Sequence, residues 1–144
     1  MSLSISEESK AIALRQGLRP GENYRAVVYC ALNKTGLKAA LIGGAIGAAR
    51  NNQYGFMILM DNTLRFVELN SFDTLKVKNV FDIPFDQIQV IKQSTGFMGM
   101  RKAYCKINKQ KYNLIMYVKV GKKLQNQKEN VEILDQFLAN LKNA

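Results

Sequence analysis

Few side chains in this 144-residue chain are of the types that perform acid–base or nucleophilic chemistry. The chain contains no histidine, which removes the commonest general base, the Ser-His and Cys-His dyads and imidazole metal ligands. Asp82 and Asp86 are paired carboxylates beside a proline, and roles in turn formation and strand register account for them more simply than catalysis. Two carboxylates without other hard ligands make a poor metal site. The sequence therefore predicts a protein that is not an enzyme and that binds neither a metal ion nor a cofactor.

Two further motifs also give no support for catalysis or metal binding. Residues 96–102 resemble a phosphate-binding loop, but the glycine and lysine spacing is wrong and no Ser or Thr follows Lys102. Cys30 and Cys105 are far outside any C-x-x-C spacing for metal or redox chemistry. The sequence leaves open a disulfide between them, and it favours two buried, reduced thiols of a cytosolic protein.

Positive charge is concentrated in one part of the chain. Lys and Arg number 21 against 11 Asp and Glu, a formal net charge of +10. Residues 87–128 contain ten of these basic side chains and no carboxylate, so the rest of the chain is neutral. At 47% hydrophobic residues, the chain is too apolar to be a disordered basic tail. A localised excess of this kind indicates anionic lipid headgroups, nucleic acid phosphates or an acidic protein as the partner.

A basic hairpin lies within this segment. Alternation over predicted strands 102–108 and 111–120 places lysines and tyrosines on one side of each strand. If the two sides coincide, they form a cationic binding surface. The alternative is that the lysines only guard exposed strands against edge-to-edge aggregation. The predicted anion- or headgroup-binding residues of the chain are Lys34, Lys38, Arg50, Arg101, Lys102, Lys106, Lys111, Lys119, Lys122 and Lys123.

The longest apolar stretch, residues 37–49, is rich in glycine and alanine. As a helix it would span about 20 Å, less than the roughly 30 Å of the bilayer hydrocarbon, so no transmembrane segment is predicted. Its small residues favour packing on its own domain or on a second copy, and its basic flanks favour contact with an anionic membrane. The predicted apolar contact residues are Leu41, Ile42, Gly43, Ile46 and Gly47.

Periodicity predicts a mainly β chain with a helix at each end. The predicted strands cover residues 24–32, 54–60, 63–69, 75–81, 85–93, 102–108 and 111–120, and the helices residues 4–17 and 127–142. Ser4 and Glu7 form a capping-box pattern, and Gly17 would end the first helix. Pro84 is expected to separate the fourth and fifth strands.

Residues 54–60, 64–67 and 81–88, the last reading Phe-Asp-Ile-Pro-Phe-Asp-Gln-Ile, resemble the bacterial pleckstrin-homology-like domains of the YokE-like family. The resemblance covers residues 22–142 and implies a seven-stranded, two-sheet barrel closed at one end by the C-terminal helix. It divides the chain into an N-terminal helical extension, 1–21, and a pleckstrin-homology-like domain, 22–144, with a Gly-rich insertion at 37–50. In such domains, basic residues of the loop between the first two strands often bind phosphoinositide headgroups. Here Lys34, Lys38 and Arg50 match, whereas the basic-x-Arg pair of the second strand is missing.

These features together predict a non-catalytic binding module that attaches weakly to an anionic membrane surface or to a protein partner. Two alternatives are nucleic-acid binding through the Lys and Tyr hairpin, and a purely structural homo-oligomerisation module. Since the N-terminus has no apolar signal core, we expect a cytoplasmic protein with peripheral attachment at the inner face of the membrane.

Overall fold

The computed structural model describes residues 5–35, 52–120 and 124–143. Its helices and strands, in chain order, are α1 (Glu7–Gly17), β1 (Ala26–Lys34), β2 (Asn52–Leu59), β3 (Thr63–Leu69), β4 (Val77–Pro84), β5 (Ile88–Thr95), β6 (Arg101–Ile107), β7 (Gln110–Met116) and α2 (Gln127–Lys142). Short 3-10 turns at Phe85–Gln87 and Phe97–Gly99 precede and follow β5.

The seven described strands form one antiparallel sheet in the order β4-β3-β2-β1-β7-β6-β5. The first strand is central, because β1 pairs with β2 on one side and with the last strand, β7, on the other. The prediction of a mainly β chain with a helix at each end is confirmed. Closure of this sheet into a two-sheet barrel stays a prediction.

One face of the sheet packs against α2. Alternate residues of β1, such as Val28 and Cys30, are buried on this face. Val131, Leu134 and Leu138 of α2 are fully buried against it, as their helical spacing predicts. Side chains from all seven strands contribute to this first core cluster.

The other face carries a second, smaller core cluster under α1. Val27 of β1, Phe56 and Ile58 of β2 and Val67 of β3 are buried here together with Ala13 of the helix. The near-continuous apolar run in β2 therefore reflects a strand that is covered on both faces.

Helix α1 begins later than predicted. Its N-cap is Ser6, whose Oγ accepts a hydrogen bond from the Ser9 amide, while the Ser6 amide donates to Ser9 Oγ at 2.8 Å. Ser4 lies outside the described residues. Gly17 is the last residue of the helix, as predicted. Its lack of a side chain permits close packing, since a Cβ atom there would lie 2.6 Å from a methyl group of Val67.

The region around Pro84 also differs from the prediction. β4 runs through Pro84 instead of ending at Phe81, because β4 lies at the end of the strand order, where a missing N–H is tolerated. Residues 85–87 form a 3-10 turn, and β5 starts only at Ile88.

The start of α2 completes the pairing of β1. The β1–β7 ladder ends at Cys30 and Met116, which leaves the earlier part of β1 without a strand on that side. Oε1 of Gln127 accepts a hydrogen bond from the Tyr29 amide, and Nε2 donates to the carbonyl groups of Tyr29 and Tyr117 at 3.0 and 2.6 Å. Asn130 Oδ1 accepts from the Val27 amide. The side chains of α2 thus satisfy backbone groups that a longer β7 would otherwise bond.

Candidate anion-binding surface

The register of β6 and β7 brings the predicted lysines to one face of the sheet. Lys106 lies directly opposite Lys111, and Tyr104 lies opposite Asn113. Paired residues project from the same face, so Lys102, two residues before Tyr104, projects there as well. The coincidence of the two cationic sides is therefore confirmed. We call the surface formed by Lys92, Lys102, Tyr104, Lys106 and Lys111 the lysine face.

Lys92 joins this face through a bulge that the sequence did not reveal. Strict alternation from Val90, which is buried, would place Lys92 on the core side of β5. The register instead shifts between Val90 and Lys92, leaving Ile91 as the extra, exposed residue. Lys92 consequently pairs with Tyr104 on the lysine face.

The charges of the lysine face lack carboxylate partners among the described residues. The ion pairs found in those ranges connect other groups, such as Lys78 with Glu68 and Arg101 with Asp135. Like charges directly opposite each other, as at Lys106 and Lys111, destabilise a sheet by roughly a few tenths of a kcal/mol for each pair. Without a counter-charge against it, this face therefore slightly weakens the fold.

Three predicted residues lie elsewhere. Lys34 pairs with Tyr112 in the alternate register position, which places it on the opposite face of the sheet, beside a polar cavity of about 380 Å³. Arg101 turns toward α2, where its Nε lies 3.6 Å from a carboxylate oxygen of Asp135. Lys119 is exposed beyond the end of β7. The lysine face thus includes Lys102, Lys106 and Lys111 of the predicted basic residues but not these three.

The remaining predicted site residues lie outside the described ranges. These are the basic residues Lys38, Arg50, Lys122 and Lys123 and the apolar contact residues Leu41, Ile42, Gly43, Ile46 and Gly47. The proposal that residues 37–49 contact a membrane, their own domain or a second copy stays a prediction.

Tyrosines border the lysine face. The rings of Tyr29 and Tyr117 stack with their centroids 5.9 Å apart, and burial raises the pKa of both phenols above its usual value. Tyr104, by contrast, lies between Lys102 and Lys106 along β6 and is partly exposed. Tyr104 is therefore the aromatic group that a ligand on this face would meet.

Both cysteines are buried in the first core cluster and are not bonded to each other. Burial raises the pKa of the Cys105 thiol to about 12 and that of Cys30 well above its usual range. Neither group forms appreciable thiolate at neutral pH, so both are inert structural thiols. The prediction of two reduced, buried thiols is confirmed in the structure.

The carboxylates Asp82 and Asp86 lie in different surroundings. Asp82 forms a bidentate ion pair with Arg65 across β3 and β4, with an Nε–Oδ1 distance of 2.6 Å, whereas Asp86 is exposed in the following turn. Asp82 thus has the register role that the sequence predicted. Within the described ranges, no group of three or more Cys, Asp or Glu side chains is placed to hold a metal ion.

Neither described helix is long and apolar enough to cross a membrane. In comparisons with known proteins, no family model matches the chain, and no curated protein or solved structure matches it either.

Proposed function

We propose that this protein is a non-catalytic binding module that attaches through its lysine face to an anionic membrane surface. The observation that carries the proposal is the placement of Lys92, Lys102, Lys106 and Lys111 on one face of three neighbouring strands. The described residues provide these four cations with no carboxylate partner. Negatively charged headgroups are complementary to a face of this kind.

The expected attachment is weak. Each lysine near an anionic leaflet contributes about 1 kcal/mol before screening by salt. Four lysines together give about 4 kcal/mol, which corresponds to a dissociation constant of about 1 mM. Avidity from a second copy or a second contact would strengthen such binding considerably.

We also propose that the sheet curls into the pleckstrin-homology-like barrel that the sequence resembles. The strand order and the C-terminal helix support this fold. The first core cluster also contains residues of both edge strands, β4 and β5. The barrel would keep the lysine face on its outer surface, since the core cluster occupies the other face of β6 and β7.

Cosedimentation with vesicles of rising anionic lipid content tests the membrane proposal. We expect binding to rise with lipid charge and to fall between about 50 and 500 mM salt, because screening shortens the reach of exposed charges. The variant Lys106→Glu/Lys111→Glu should lose most of this binding. Binding that ignores both lipid charge and salt would contradict the proposal.

A matched control is available on α2. The variant Lys128→Glu/Lys142→Glu changes the net charge by the same amount at exposed positions on a helix that covers the opposite face of the sheet. Its two substitutions lie at opposite ends of the helix dipole, so their effects on helix stability oppose each other. This control should bind vesicles nearly as well as the natural chain. Equal losses in both variants would show that net charge alone governs the attachment.

Nucleic-acid binding is a second candidate, favoured by the position of Tyr104 between Lys102 and Lys106. An exposed aromatic ring among cations can stack on an unpaired base while the lysines contact phosphates. Replacing Tyr104 with leucine should weaken oligonucleotide binding about tenfold if a base stacks there. The same variant keeps the four lysines and an apolar side chain at this position, so it should weaken vesicle binding much less. An oligonucleotide affinity that is strong, salt-dependent and sensitive to Tyr104→Leu would favour this candidate over the membrane.

A further inference from the structure

The turn between β5 and β6 exposes two adjacent apolar side chains. Phe97 is 83% exposed and Met98 is 52% exposed. Phe97, Met98 and Met100 line an apolar cavity of about 160 Å³ together with Tyr117, Val118 and Lys119. Single exposed apolar residues are common on protein surfaces, but an adjacent pair beside an apolar depression forms a contact patch.

The backbone of this turn is ordered by hydrogen bonds. The Gly96 amide donates to the Met100 carbonyl at 2.7 Å, and the Met100 amide donates to the Phe97 carbonyl at 3.2 Å. Met98 and Gly99 both adopt left-handed conformations, with φ of 57° and 79°. Such a conformation is unfavourable for methionine and persists only where the surrounding structure imposes it. The turn is therefore a defined projection of Phe97 and Met98.

The base of the turn is attached to α2. Arg101 donates through Nη1 to the Gly99 carbonyl at 2.8 Å, and its Nε lies 3.6 Å from Asp135 Oδ2. Gln93 donates to the carbonyl group and to the carboxylate of the same Asp135, each at 3.0 Å. These contacts fix both strands beside the turn to the helix, so the apolar tip is held in place relative to the core.

The surroundings of the tip are cationic. Lys119 lines the same cavity, and Lys102 of the lysine face is the second residue of β6, close after the turn. Tyr117, also in the cavity, stacks on Tyr29 at the border of the lysine face. Residues 87–128 contain no carboxylate, so no acidic side chain of this segment opposes an anionic surface.

We propose that Phe97 and Met98 enter the interface of an anionic bilayer, at the boundary between headgroups and acyl chains, while Lys102 and Lys119 contact the headgroups. This inference rests on the proposed membrane attachment and assigns its apolar component. A bilayer interface presents negative charge directly above hydrocarbon, which matches an apolar tip surrounded by cations. The inserted pair adds apolar burial to a charge attraction that is weak on its own.

A single tryptophan tests this directly, because the chain contains none. Phe97→Trp keeps a large apolar ring at the tip and reports its surroundings by fluorescence. Adding vesicles that contain anionic lipid should shift its emission to shorter wavelength, and lipids brominated near the headgroup end of their acyl chains should quench it. An unshifted, unquenched emission from bound protein would overturn the inference.

The turn before β4 supplies the matched control. Phe72 is 72% exposed, but it precedes Asp73. Because all neighbouring strands are antiparallel, the end of β3, where Phe72 lies, and the end of β5, where Phe97 lies, are at opposite ends of the sheet. Phe72→Trp should show neither the shift nor the quenching. Equal changes at both positions would indicate a general change of the protein on vesicles and would overturn the assignment to Phe97.

A loss-of-contact variant separates this inference from the proposed function. Phe97→Ser/Met98→Ser should reduce vesicle partitioning by about tenfold or more, because the transfer of two large apolar side chains is lost. Unchanged partitioning of this variant, together with loss in Lys106→Glu/Lys111→Glu, would overturn only the role of the tip. Absence of vesicle binding by the natural chain would overturn both. A concentration-dependent rise in mass without vesicles, abolished by the serine variant, would instead assign the tip to self-association.

Discussion

At the scale of single residues, Arg65 is a charged side chain that the fold buries. It is only 5% exposed, and its guanidinium forms bidentate contacts with Glu22 and with Asp82. A fifth hydrogen bond runs from Nη1 to the Gly17 carbonyl at 2.8 Å. Arg65 therefore uses all five of its N–H donors and connects the end of α1, the following turn and β4. A buried cation is stable only with such complete pairing.

The Glu22 carboxylate gives this cluster a pH dependence. Its hydrogen bonds from Arg65 and from the Arg19 amide lower its pKa from the ordinary value of 4.5 to about 2. Because the folded pKa lies below the unfolded one, the stabilisation is complete above about pH 4.5 and is lost as the pH falls toward 2. We expect Glu22→Gln to lower the urea midpoint at pH 7 and to flatten its decline between pH 5 and pH 3. Parallel curves for the two proteins across this range would contradict the assignment.

At the scale of elements, the first turn of α2 replaces a missing piece of strand. Gln127 is 4% exposed, and its side chain bonds the backbone of both β1 and the segment after β7. The helix therefore contributes to the sheet through directed hydrogen bonds as well as through its apolar face. This arrangement fixes the position of α2 along β1.

Replacing Gln127 with leucine should destabilise the fold by about 2 kcal/mol, because it leaves the buried amide of Tyr29 without an acceptor. Gln136→Leu is the matched control, since Gln136 is exposed on the same helix and, within the described ranges, bonds only the Asn140 side chain. Chemical denaturation of the two variants measures the difference. Equal stabilities would mean that water satisfies the Tyr29 amide equally well.

Local sequence patterns predicted most of these elements but not the contacts between distant ones. Alternation in β6 and β7 predicted the lysine face, and helical spacing predicted which residues of α2 are buried. The bulge at Val90 and Lys92 breaks alternation, so the alternation of β5 does not predict that Lys92 lies on this face. The Arg65 cluster and the role of Gln127 depend on groups far apart in the chain, and no local period reveals such pairs.

At the scale of the whole molecule, the sheet is covered unequally on its two faces. The first core cluster joins all seven strands to α2, while α1 covers the second cluster over β1, β2 and β3. The lysine face occupies the remaining part of that second side, on β5, β6 and β7. The cationic surface and the N-terminal helix thus share one face of the sheet.

We expect α1 to be necessary for stability even though the family resemblance begins after it. A chain that starts at Glu22 would expose Phe56, Ile58 and Val67, and its urea midpoint should fall by about half or more, given the narrow stability margin of small domains. In the full chain, Ala13→Asp at the buried position should act similarly, and Ala11→Asp at an exposed position should not. An unchanged midpoint after truncation would make residues 1–21 a separable extension.

The central position of β1 has a consequence for the order in which the chain folds. Its partner on one side is the neighbouring β2, but on the other side Cys30 pairs with Met116 of the last strand. During synthesis, one edge of β1 therefore stays open until β7 has been made. Contacts of such large sequence separation form slowly, and an open apolar strand can meanwhile pair with another chain. The fold of a single copy is therefore completed late, when β7 and the first turn of α2 bond to that edge of β1.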